Sequence, residues 1–66
     1  MTGSELRQKR YRAGLTARKL WSIALGKFGP GRAPGPFEIL EFEDGKLELG
    51  ERELRSLIKI ISERST

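Results

Sequence analysis

The sequence predicts a small all-α domain of four helices, and three observations carry that prediction. Apolar residues recur three and four positions apart in the second and the last segments. Residues that cap helices stand just ahead of the helical segments. A single stretch, GPGRAPGP at 29–36, holds three prolines and three glycines and breaks the chain between the second and third helices.

The first helix is expected near 4–13. Thr2 and Glu5 have capping-box spacing. Leu6, Arg10 and Ala13 mark one face, and Gly14 fits the residue just past the end. The second is expected at 16–27, with Thr16 as N-cap and Leu20, Ile23 and Ala24 as its buried stripe. Trp21 and Leu25 lie beside that stripe, and Gly26 or Gly29 ends the helix.

The segment PFEILEFEDGKLEL that follows has two readings. A hairpin turning at Asp44-Gly45 is one. A helix over 36–44, opening at Pro36 and stopping at Gly45, is the other. Periodicity alone leaves both open. The last helix, 51–63, has Leu54, Leu57, Ile58 and Ile61 at helical spacing, and Ile60 widens the stripe. Gly50 is its N-cap, and Glu51 and Glu53 suit the positive end of its dipole.

The chain has 66 residues and reads as one domain, 1–66. At that size it buries only about 60% of its unfolded surface, so its core is thin. It has no cysteine, hence neither a disulfide nor a thiolate metal site, and no histidine, the commonest metal ligand and general base. No enzyme, no metal and no cofactor are expected. No apolar run approaches the roughly 18 residues of a membrane span, and Leu20–Leu25 is too short for a signal peptide. A cytosolic protein, nucleoid-associated, is expected.

The charge is unevenly spread. Residues 1–34 hold eight basic side chains and one acid, whereas residues 35–66 hold five basic and eight acidic ones; the whole chain carries +4. Such asymmetry implies that one face meets a polyanion.

Two stretches together resemble the phage-repressor (Cro/Xre) helix-turn-helix family. ELRQKRYRAGLTARKL, residues 5–20, resembles that family's opening: a helix with a leucine and an arginine, then Gly-Leu-Thr, then a second helix with leucine at its fourth position. ILEFEDGK, residues 39–46, is similar to the end of its recognition helix, with Ile39, Phe42, Glu43, Gly45 and Lys46 in register. From the start of the first stretch to the end of the second, 5–46, they span about two thirds of the chain. The resemblance implies a lambda-repressor-like four-helix domain, a helix rather than a hairpin at 36–44, and a pair between Arg10 and Glu43 that ties helix one to the end of helix three. It also implies a double-stranded DNA partner and a homodimeric repressor on a palindromic operator.

Two departures from the family pattern stand out. About eight extra residues separate Leu20 from Ile39, so the loop between helices two and three is extended. Trp21 occupies the position of a small residue that lets those helices approach, which predicts a splayed or looped variant.

The recognition helix has unusual base-facing positions: Pro36, Phe37, Glu38 and Glu41. A glutamate can accept from cytosine N4, and a phenylalanine can pack on a thymine methyl. The alternative for Glu38 and Glu41 is a solvated helix face. The expected phosphate contacts are Thr16, whose helix presents free amides, with Arg18 and Lys19 in its first turn, Arg32 on the Pro/Gly loop and Lys46 after the recognition helix. The last helix carries more aliphatic side chains than one monomer face needs, which points to Leu57, Ile60 and Ile61 as a two-fold contact.

Two other functions fit parts of the sequence. One is a protein-interaction module, antitoxin-like or a phage-encoded inhibitor, that keeps the fold and engages a basic partner with its acidic half. The other is a small RNA-binding β-barrel, which requires the hairpin at Asp44-Gly45.

Overall fold

The computed structural model describes residues 1–65. They form α1 (Gly3–Arg12), α2 (Ala17–Phe28), a single 3₁₀ turn (Pro30–Arg32), α3 (Pro36–Glu43) and α4 (Glu51–Ser65). No strand occurs among the described residues, so the helical reading of 36–44 holds and the hairpin at Asp44-Gly45 is excluded.

Local chemistry sets the ends of these helices. Thr2 accepts from the Glu5 amide at 3.2 Å while Glu5 Oε1 accepts from the Thr2 amide, completing the capping box. Thr16 Oγ1 accepts from the Lys19 amide at 3.0 Å and starts α2. Gly14 and Gly45 both take positive φ, 70° and 78°, just past α1 and α3. At each, two amides fold back on carbonyls of the last turn: Gly14 on Tyr11 and Leu15 on Arg10, then Gly45 on Phe42 and Lys46 on Glu41. This is the Schellman closure, which an L side chain at those glycines would strain. Of the two glycines expected to end α2, Gly29 does so, at φ 87°.

α2 packs against α3, α4 and the 3₁₀ turn, while α1 packs against α3 and α4. The core they enclose holds Leu6, Leu15, Ala17, Leu20, Ala24, Ile39, Leu57, Ile60 and Ile61. Gly3 marks a close approach of α1 to α3, because a Cβ there would stand 2.2 Å from the Phe42 carbonyl oxygen.

The two-fold contact expected from Leu57, Ile60 and Ile61 requires correction. These residues are 0%, 2% and 3% exposed within a single chain. The reason is that α4 is covered on two sides, by α1 and by α2. A stripe wider than one neighbour needs is used up by two, and no surplus of these side chains is left for a second copy.

Candidate nucleic-acid interface

A buried ion pair fixes the end of α3 against α1. Arg10 donates to Glu43 through Nε at 2.7 Å and Nη2 at 2.8 Å. Its Nη1 donates to the Leu15 carbonyl at 3.0 Å. The Glu43 side chain is fully buried, and Arg10 is nearly so. The hydrogen bond to Glu43 raises the Arg10 pKa above the ordinary arginine value, and two N–H donors on one carboxylate make the contact a fork. Arg7 adds a second layer, donating to Glu43 at 3.3 Å and pairing with Asp44. These contacts, Asp44 first, raise its pKa as well. The role of Arg7 is not legible from periodicity, because it stands one turn ahead of Arg10 on the flank of α1 and is reached only once α3 has docked.

With α3 held at this end, its opposite end faces α2. A groove of about 540 Å³ is lined by Thr16, Ala17, Arg18, Trp21, Pro36, Phe37 and Leu40. Phe37 is 76% exposed, and Leu40 and Trp21 add further accessible apolar surface. Trp21 stands in the lining between the two helices, where the sequence led us to expect splaying. The two helices pack against each other, and their Leu20, Ala24 and Ile39 lie in the one buried core. Beside it, Thr16, Arg18, Lys19, Trp21 and Ser22 line a shallower hollow over the first turns of α2. Thr16, Arg18 and Lys19 are exposed and close to the amides that the α2 N-terminus presents.

The remaining expected site residues fall into different places. Glu41 is exposed and makes no ion pair among the described residues. Glu38 is engaged locally: its Oε1 accepts from the Gly35 amide at 3.1 Å, closing the N-terminus of α3. This cap gives Glu38 a structural reason to stand at this position. Lys46 is exposed just after α3 and lies outside both hollows. Arg32 is displaced furthest from expectation. The 3₁₀ turn carries it to a hollow lined by Phe28, Arg52, Arg55, Ser56 and Lys59, away from Arg18 and Lys19.

Helix order, buried pair and groove define a small helical domain with an exposed third helix. No protein-family model, no curated protein and no solved structure matches the chain. Among the described residues, no helix is long and apolar enough to cross a membrane.

Proposed function

We propose that this chain is a sequence-specific double-stranded DNA-binding transcriptional regulator of the helix-turn-helix kind, acting as a repressor by occupancy. The observation that carries this reading is the shared groove between the first turns of α2 and α3, with Arg18 on its lining and Lys19 beside it. A capped α2 N-terminus with two cations suits a phosphate. An exposed α3 end bearing Phe37, Leu40 and Glu41 offers apolar and acceptor groups to base edges in a major groove. Arg10 and Glu43 tie the far end of α3 to α1, which supports such a readout. The chemistry needs no cofactor. A homodimer on a palindromic operator is the corresponding assembly, and it requires a surface other than Leu57, Ile60 and Ile61.

One observation favours a second reading, a protein-interaction module. Trp21, Pro36, Phe37 and Leu40 make the groove mostly apolar, and accessible apolar patches are typical of partner sites. Selection of bound sequences from a random duplex pool tests both. Recovery of a common motif, bound with steep salt dependence, supports the regulator. Failure to enrich any sequence, with no duplex binding at low salt, rejects it and leaves the interaction module.

A further inference from the structure

The Pro/Gly segment builds something that the reading above does not use. Gly29 turns the chain out of α2, and Pro30–Arg32 make the 3₁₀ turn packed on α2 and α4. The turn brings Arg32 to one side of α4, where Arg52, Arg55 and Lys59 stand three and four residues apart. Together with Phe28 and Ser56 they line a hollow of about 290 Å³. All four cations are exposed.

The neighbouring acids only partly balance this cluster. Arg55 pairs with Glu51 at 2.7 Å, an exposed pair that solvent screens. Glu63 is engaged by Lys27 and feels the charge of Lys59. Arg32 and Arg52 have no acidic partner among the described residues. The concave side of this turn therefore concentrates positive potential.

We propose that this hollow is a second, sequence-independent site for the phosphodiester backbone of duplex DNA. Its dimensions favour a backbone over a single small anion. From Arg52 to Lys59 the stripe runs about 10 Å along α4, while phosphates recur about every 3.4 Å of rise on one strand. Neighbouring phosphates stand farther apart along the winding backbone than that rise, so about two fit the span, whereas an isolated phosphate would meet only part of it. The hollow lies at the C-terminal end of α2, roughly 18 Å along the helix from Thr16. It is therefore separate from the groove at the N-terminal end. The inference rests on the reading of the chain as a DNA binder, but not on which surface reads the bases.

The test compares three proteins: the parent, R32Q/R52Q/K59Q and R18Q/K19Q. Each is titrated against a random-sequence duplex and against a selected one, at several salt concentrations. R32E alone, which alters no long helix, serves as a fourth protein, and circular dichroism monitors the fold of all four. For R32Q/R52Q/K59Q the expected result is a salt slope smaller by about two to three units on both duplexes. The ratio of affinities for the two duplexes stays as in the parent. R32E weakens both duplexes in parallel. A slope reduced by less than about one unit overturns the proposal, and loss of binding only in R18Q/K19Q then leaves the groove as the DNA surface. Loss of slope in R32Q/R52Q/K59Q, with R18Q/K19Q unaffected, keeps this site and rejects the groove. If the parent binds no duplex, both readings fall. If inorganic phosphate shifts the amide resonances around Arg32, Arg52 and Lys59 while the salt slopes of parent and variant agree, the site holds a small anion and the proposal is overturned.

Discussion

Arg10 grips Glu43 with two hydrogen bonds of 2.7 and 2.8 Å, across 33 residues of sequence and out of reach of solvent. The pair joins α1 to the last turn of α3. A buried fork of this kind adds less net stability than its geometry suggests, because both charges lose water. Removing one partner is a different matter, since it strands the other. Glu43→Ala is expected to destabilise the domain by about 3–5 kcal/mol. Glu41→Ala, at an exposed position, should fall within about 0.5 kcal/mol of the parent. Urea midpoints with matched slopes measure the difference. Equal midpoints would show that the pair does not hold the fold.

Two helical glycines give opposite expectations. Gly3 has the Phe42 carbonyl and the Glu43 backbone where a Cβ would go. Gly3→Ala must push α1 off α3, at a cost of about 1–3 kcal/mol. Gly26, in α2, has nothing within 4 Å of such a Cβ. Gly26→Ala should stabilise by about 0.4–1 kcal/mol by restricting the unfolded chain. Thermal unfolding of the two single variants reads both signs, and a Gly3→Ala variant as stable as the parent or more so would contradict the packing of α1 on α3.

The contrast also marks where sequence reasoning succeeds. Caps, periodicity and Schellman glycines are local, so Thr2, Glu5, Gly14, Thr16 and Gly45 announce their helices within a few residues. Arg10 and Glu43 were legible only through a family pattern, since they stand 33 positions apart. Gly3 carried no signal, because its constraint comes from a neighbour distant in sequence. The segment at 36–44 was ambiguous locally and became helical through packing of Ile39 into the core. Arg32 was placed on a loop but not over α4, because a proline-rich turn fixes local shape without revealing what it packs against. For Leu57, Ile60 and Ile61, counting aliphatic residues suggested a surplus, but the count does not show how many neighbours a helix has.

Glu38 and Phe37 are adjacent and are expected to respond in different assays. Glu38→Ala removes the acceptor for the Gly35 amide and should cost about 0.5–1.5 kcal/mol of stability. The sequence preference of any bound duplex should stay unchanged. Phe37→Ala should leave stability within about 0.5 kcal/mol, because the side chain is 76% exposed. It should instead change which bases are selected. If Glu38→Ala alters the selected motif and Phe37→Ala does not, the roles are reversed and Glu38 reads bases at the expense of its cap.

Ile60 separates a core role from an assembly role. The side chain is 2% exposed and belongs to the same cluster as Leu6, Leu20 and Ile39. For a chain of this length total stability is about 3–10 kcal/mol. Ile60→Ala removes most of a buried aliphatic group and should cost about 2–5 kcal/mol, a large share of that total. Ile60→Glu adds an unpaired carboxylate to the same space and should unfold the domain outright, since the one buried cation among the described residues, Arg10, is already engaged by Glu43. An interface residue would behave otherwise: Ile60→Glu would stay folded and lose only self-association. Circular dichroism and sedimentation at micromolar concentration distinguish the two. A folded, monomeric Ile60→Glu derived from a dimeric parent would place Ile60 between two chains. Loss of helical signal, with Ile60→Val retained as a folded control costing about 0.5–1.5 kcal/mol, is the expected outcome. Any two-fold contact that sedimentation then detects in the parent must be sought away from the buried side of α4.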